Sequence, residues 1–354
     1  MSSSETIGPY RILEPLRKGG VSSVYKAVGP AGALVALKVF STRLLASPAG
    51  GKPASEQRGE PAAGHSSEPA AGRPGEHPGA PSPSPSPSPQ QEDLVSRFHR
   101  EVRAVVPLSH PNILQVLETG EDGDRLYLAT ELFAGVSLER LLKERRLGVP
   151  QSIAVLRAIC RGLAFAHARG CVHGHLSPRH VLISPDLAAV KIADFGPSEI
   201  DVVSELDSTL RTGAYALGSM VYLAPEQLER RGARDPRSDL YATGVIFVEL
   251  LTGRPPIGKF ALPSHTNAEL PPATDVLVLK CLDRDPARRY PSATALLADL
   301  DRLEEALRVR LLSHLRGISR LLGAPGTLRR ALLLAALALL LVALALAGFF
   351  LAGR

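Results

Sequence analysis

The chain has 354 residues, with 41 Lys or Arg against 35 Asp or Glu, a net charge of +6 and 45% hydrophobic residues, enough for one large or two medium folded units with a substantial core. Only eight of the 41 basic residues are lysine; with the high Ala, Leu and Pro usage the excess reads as compositional bias, and no nucleic-acid partner is expected. Cys160, Cys171 and Cys281 lie far apart with no CxxC spacing, which points to neither a disulfide framework nor a cysteine zinc site and fits a reducing cytosol.

The N-terminus, "MSSSETIGPYRILEPL", lacks a basic stretch followed by an apolar one, so no secretory signal is expected. Residues 8–41 alternate apolar and polar with glycine punctuation, which predicts three short antiparallel strands. Residues 46–92 are rich in Pro, Ala, Gly and Ser and end near "PSPSPSPSP". With almost nothing large and apolar to bury, they are expected to be a disordered insert with a polyproline II tip. The globular body spans 93–305. It opens with a helix at "DLVSRFHREVRAVV", continues through strands around "NILQVLETG" and "RLYLATEL", and then turns mostly helical. "SIAVLRAICRGLAFAHARG" and "SDLYATGVIFVELLTG" have helical apolar spacing and each ends at Gly, a common C-terminal stop.

Residues 306–330 form a basic juxtamembrane segment in which Arg308, Arg310, Arg316 and Arg320 alternate with Leu and Ile, a pattern suited to an anionic leaflet. Residues 331–352 are about 22 uncharged residues, enough to cross a hydrocarbon core of ~30 Å. They are expected to be a single transmembrane helix. Arg329 and Arg330 flank its start, which places residues 1–330 in the cytoplasm of a C-terminally anchored, single-pass protein.

The order of motifs across residues 8–305 resembles that of the eukaryotic-like serine/threonine protein kinases of bacteria. "LRKGGVSSVYKA" is similar to the Gly-rich loop and "VALKV" to the strand bearing the nucleotide lysine, Lys38. "FHREV" supplies a partner Glu101, and "HPNI" follows at 110–113. "HGHLSPRHVL" stands where the family has HRDLKPxNVL. Then come "ADFG" with Asp194, "GSMVYLAPE" ending at Glu226, "SDLYATGVIFVELLTGRPP" with Asp239, and "DPARRY" with Arg289. The resemblance implies an α+β, two-lobed kinase fold, with a small antiparallel β N-lobe and a mainly helical C-lobe. It implies ATP and Mg2+ as cofactors. Lys38 would hold phosphates, Glu101 would hold Lys38, and Asp194 would ligate magnesium. Gly19 and Gly20 would approach the phosphates, Val24, Ala36 and Leu182 would wall the adenine, and Thr130, Glu131 and Leu132 would form the hinge between the lobes. Glu226 and Arg289 would pair in the C-lobe.

Several positions depart from the family pattern. GxGxxG falls on Arg17, Gly19 and Ser22, so two of three phosphate-facing glycines are missing, although Arg17 could supply charge. In the catalytic loop Gly174 replaces the Arg that often pairs with an activation-loop phosphate. His175 replaces the Asp that accepts the substrate hydroxyl proton, Ser177 the Lys of the γ phosphate, and His180 the Asn of the second magnesium. A neutral imidazole can accept a proton, but it offers no negative charge, and His180 suits an oxygen-preferring metal poorly. His173 matches the family's own structural histidine. A zinc site from His173, His175 and His180 would lack an acid or cysteine nearby in sequence. Ser204, Ser208, Thr209, Thr212 and Tyr215 are candidate acceptors in the activation segment, but with Gly174 their phosphates would lose the usual arginine.

These observations describe a membrane-anchored, kinase-like signalling protein that binds ATP, has weak or no phosphoryl transfer, and acts by docking protein partners. The alternatives are a slow serine/threonine kinase using His175 as an atypical base, and a protein-binding platform without nucleotide.

Overall fold

The structure, a computed structural model, describes residues 5–19, 22–42, 89–196, 220–229 and 235–322. The N-terminal part is a six-stranded antiparallel sheet of β1 (Thr6–Ile7), β2 (Tyr10–Lys18), β3 (Ser22–Val28), β4 (Leu34–Ser41), β5 (Val116–Asp122) and β6 (Arg125–Glu131), in the order β1-β2-β3-β4-β6-β5. The three strands expected over 8–41 are β2, β3 and β4. β1 adds a two-residue strand, pairing Thr6 with Arg11, too short to show a period in sequence.

Alternation along β4 sorts its side chains between two cores. Val35, Leu37 and Val39 join Ile7, Tyr10, Ala27, Tyr127 and Ala129 in a small cluster on one face. Phe40, on the other face, joins Leu126 and Leu128 in the main core beneath α1 (Pro89–Val105), which contributes Phe98 and Val102. The Phe40 and Phe98 rings meet edge to face at 5.5 Å, and full burial of each contributes roughly 1.5–3 kcal/mol. Register places Lys38 opposite Val24 and Leu128, and Ala36 opposite Thr130. Directly opposed residues share a face, so Val24, Ala36, Lys38 and Thr130 lie on one surface of the sheet.

α1 begins four residues inside the stretch expected to be disordered. Proline is tolerated there because the first turn leaves its N–H unused in any case, and Gln90, Gln91 and Glu92 then favour helix. Residues 46–88 lie outside the described residues.

The C-terminal part packs α2 (Leu138–Glu144), α3 (Val149–His167), α4 (Pro225–Glu229), α5 (Pro236–Thr252), α6 (Pro263–Thr266), α7 (Ala273–Cys281) and α8 (Ala293–Leu322). A small sheet of β7 (Val136–Ser137), β8 (Val181–Ile183) and β9 (Val190–Ile192) faces the N-terminal part. α5 is capped by the Asp235 side chain and stops at Gly253, in the left-handed region at φ +80°, as its glycine predicted. α3 stops at His167, short of the glycine expected to end it. By length and composition α3 could cross a membrane, but 56% of its apolar stretch is buried inside the fold, which makes it a core helix. The expected span at 331–352 lies outside the described residues. α8 runs unbroken through 305, where the body was expected to end, with Leu296, Leu300 and Leu303 buried.

The "HPNI" stretch ties the two parts together. Ile192 N–H donates to the Asn112 carbonyl at 2.9 Å, Leu114 N–H to the Ile192 carbonyl at 2.8 Å, and Asn112 Nδ2 to the Val190 carbonyl at 2.9 Å. β9 is therefore held against the loop between α1 and β5, and Asp194 follows two residues after it.

Candidate functional site

Asp239, in the first turn of α5 and buried, organises the loop at 171–180. Its carboxylate accepts the backbone N–H of His173 at 2.9 Å, that of Gly174 at 2.8 Å, and lies 2.8 Å from His167 Nε2. Burial disfavours its charge, yet these partners keep its pKa below the ordinary carboxylate value. Gly174 sits at φ +80°, a conformation glycine adopts without strain. Its carbonyl accepts from Gln227 Nε2 of α4 at 2.5 Å.

Around this anchor three buried imidazoles pack on one another. Ring centroids of His173 and His175 lie 4.6 Å apart, those of His175 and His180 4.6 Å, and those of His173 and His180 5.4 Å. Phe195 closes the stack, 4.9 Å from His173. The hydrogen bonds assign the tautomers, because a carbonyl can only accept. His173 Nε2–H donates to the Ala193 carbonyl at 3.0 Å. His175 Nδ1–H donates to the His173 carbonyl at 3.2 Å, and His180 Nδ1–H to the His175 carbonyl at 3.0 Å. Ser177 Oγ also contacts His180 Nδ1, at 3.2 Å. His175 and His180 therefore both carry their lone pair on Nε2.

Burial, with the neighbouring His175, pushes the His173 pKa down to about 4. Burial and Lys38 push His175 down to about 4, and burial takes His180 well below its ordinary value. The folded state thus resists protons that the unfolded chain accepts near pH 6.5. The contribution of these histidines to stability should be fully present above about pH 7 and be lost as pH drops toward about 4, by up to about 1.4 kcal/mol per pH unit for each histidine. Urea unfolding across this range checks it: His180→Asn should flatten the slope, and a flat wild-type profile would contradict the lowered histidine pKa values.

Asp194 follows β9 at φ +62°, in the left-handed region that costs a non-glycine residue energy. Its carboxylate meets Lys38 Nζ at 3.1 Å, Arg17 Nη2 at 3.9 Å and His180 Nε2 at 3.9 Å. Burial opposes its charge, but the Lys38 ammonium, with the Arg17 guanidinium, holds its pKa far below the ordinary value. Lys38 is buried, with its Nζ 5.1 Å from the Phe40 ring centroid.

The other expected site residues fall around this centre. Val24, Ala36 and Leu182 are half-buried, the first two on the Lys38 face of the sheet. Thr130 Oγ1 donates to the Glu131 carbonyl at 3.2 Å. The Glu131 side chain bonds Lys191 Nζ at 2.7 Å and the Gln115 N–H at 2.8 Å, so it braces the connection between the two parts. Leu132 is half-buried beside it, and Glu101 is half-buried on α1. A Cβ on Gly19 would stand 2.6 Å from the Ser22 carbonyl oxygen, so the turn itself demands glycine there. Gly20 lies outside the described residues, as do Ser204, Ser208, Thr209, Thr212 and Tyr215.

The second anchor is Arg289, whose side chain is 0% exposed. Its Nη1 and Nη2 bond the two Glu226 oxygens at 2.7 Å each. The rest of the guanidinium reaches the carbonyls of Asp283, Arg237 and Arg284 at 2.7, 3.1 and 3.3 Å.

For nucleotide and magnesium the residues fit unequally. Lys38 and Asp194 supply a buried cation and a carboxylate within reach of each other, as phosphates and a first metal require. The second metal position offers the His180 imidazole, and magnesium prefers oxygen. The Arg17–Asp194 contact was not read from sequence: Arg17 was noted only as added charge, and nothing local marks a partner 177 positions on.

Residues 86–299 match the family model described as protein kinase domain. The serine/threonine-protein kinase PknL of Mycobacterium tuberculosis is 39% identical over 231 residues, covering 61% of this chain and 56% of that protein. PknB of Mycolicibacterium smegmatis is 32% identical, covering 59% of this chain and 36% of its own length. PrkC of Bacillus subtilis is 33% identical, covering 60% and 35%. The chain thus spans from about a third to just over half of these relatives. The crystal structure of the M. tuberculosis PknI kinase domain superposes with a TM-score of 0.60 at 21% identity, over 86% of this chain and 99% of that one; at this identity the likeness is one of fold.

Proposed function

This chain belongs to the protein kinase family, and we propose that it is a membrane-anchored pseudokinase: a kinase fold that binds ATP, transfers phosphate weakly or not at all, and acts by docking protein partners in the cytoplasm. The observation that carries this is the place of His175. At the position where the family has a substrate-facing aspartate, the imidazole is 6% exposed and packed between two other imidazoles, with its Nδ1 proton given to the His173 carbonyl. A ring with its pKa lowered to about 4 is a weak base at neutral pH, and it adds no negative charge beside a metal. A general base contributes roughly 10² to 10⁴ in rate.

The nucleotide half of the proposal rests on Lys38 and Asp194, joined at 3.1 Å across the two parts of the fold. Lys38 would take phosphate oxygens and Asp194 a magnesium ion, which when bound would neutralise phosphate charge. Arg17 would leave Asp194 as they enter. Val24, Ala36 and Leu182 would flank the adenine next to the Thr130–Leu132 connection. Membrane anchoring rests on the uncharged stretch at 331–352.

Full-length protein in detergent should gain thermal stability on addition of Mg-ATP, and Lys38→Ala should abolish the gain, each protein being compared with its own nucleotide-free midpoint because the variant also strands the Asp194 carboxylate. At 100 times Kd the stabilisation is about 2.7 kcal/mol. Absence of a Lys38-dependent shift would sink nucleotide binding and favour the nucleotide-free platform. Phosphate transfer lost in His175→Ala would instead favour the slow kinase.

A further inference from the structure

Arg17 stands where the Gly-rich loop of the family opens on a glycine, and the sheet aims it. β2 carries one extra residue, Leu16, between Pro15, which lies opposite Tyr25, and Arg17, which lies opposite Val24. Val24 in turn lies opposite Lys38. Opposed residues share a face, so Arg17, Val24 and Lys38 form one row across three strands. The side chains agree with that register: Lys38 Nζ meets Asp194 Oδ1 at 3.1 Å, and Arg17 Nη2 lies 3.9 Å from Oδ2 of the same carboxylate.

The fixed charges around this row differ from the family pattern in three places. An aspartate has become His175, a lysine has become Ser177, and a glycine has become Arg17. Magnesium in a kinase site bridges phosphate oxygens and neutralises their charge. Here one carboxylate of the pattern is gone, since an imidazole is never negative at working pH, and the carboxylate of Asp194 already faces two cations. The positive charge lost at Ser177 returns at Arg17. A guanidinium keeps its charge and offers five N–H donors in a rigid fork that matches phosphate. The Arg17 side chain is 42% exposed against 7% for Lys38, so it can turn toward a ligand entering the cleft while Lys38 stays in place.

We infer that Arg17 is a nucleotide-binding residue that takes phosphate oxygens beside Lys38 and lets this site hold ATP without a divalent metal. Arg17 has this role only if the cleft takes ATP at all, as proposed above; what is added is the residue whose charge stands in for the ion. Without metal, the guanidinium lies between the Asp194 carboxylate and the phosphates. With magnesium, the ion competes with Arg17 for Asp194, so metal adds little affinity.

The full-length chain in detergent is titrated with ATP by calorimetry, once in Mg2+ and once in EDTA. The two wild-type affinities should lie within about 10-fold of each other. Arg17→Gly restores the residue of the family pattern, so it should fold, and it should weaken ATP in EDTA at least about 10-fold more than in Mg2+, the loss of a hydrogen bond to a charged group. Arg17→Lys, which keeps the charge without the fork, should fall between the two. A merely structural role would lower both affinities by one factor, and that result would overturn the inference. So would wild-type protein that binds ATP in Mg2+ and not in EDTA, an outcome that leaves nucleotide binding itself intact. Absence of ATP binding by wild-type protein in both conditions would remove the inference and the nucleotide site together.

Discussion

The combined variant His175→Asp, Ser177→Lys, His180→Asn should transfer phosphate from Mg-ATP to itself or to a generic protein acceptor at least about 10²-fold faster than the wild-type chain. That figure is the low end of what a general base alone contributes; the restored lysine and metal ligand add to it. All three changes are needed together because the positions form one packed unit. His175 and His180 rings touch, Ser177 Oγ reaches His180 Nδ1, and His180 lies beside Asp194. Residues that act as a unit give far from additive effects, so His175→Asp alone should recover little. Radiolabel transfer at matched nucleotide occupancy measures it. If the triple variant binds ATP and still transfers nothing, the defect lies elsewhere, with Arg17 in the phosphate loop the first suspect.

Arg289→Ala should lower the unfolding free energy by about 3–5 kcal/mol, the cost of stranding one partner of a buried ion pair. The guanidinium satisfies Glu226 through two bonds and three backbone carbonyls besides. Its loss leaves Glu226 with Ser238 Oγ as its remaining side-chain partner among the described residues, at 2.8 Å. Adding Glu226→Ala should recover part of the loss, because the stranded charge goes with it. Urea denaturation of the three variants gives both numbers, and a deficit below about 1 kcal/mol would show that the pair adds little net stability.

The fold was legible because kinase motifs come in a fixed order, and because strand alternation sorts β4 between two cores without further information. The Glu226–Arg289 pair was legible for the same reason: both ends sit in motifs. The histidine cluster was legible only as three letters. His175 and His180 are five residues apart, but Asp194 enters from another element, and only the chain reversal through β8 and β9 brings it to 3.9 Å. Composition also misplaced an edge. A Pro-rich stretch reads as disorder up to 92, yet proline at the head of a helix is harmless, and α1 starts at Pro89. Masking by composition hid the same kind of continuity at the other end, where a basic run after 305 read as a separate segment although the helical spacing never breaks.

That unbroken helix has a mechanical consequence. From the buried Leu303, α8 extends to Leu322, a rod of roughly 28 Å at 1.5 Å per residue. A coil of the same length would let the kinase fold tumble at the end of a string. A helix rooted in the C-terminal core fixes direction as well as distance, so its far end at Leu322 is aimed by the domain, and torque at one end is felt at the other.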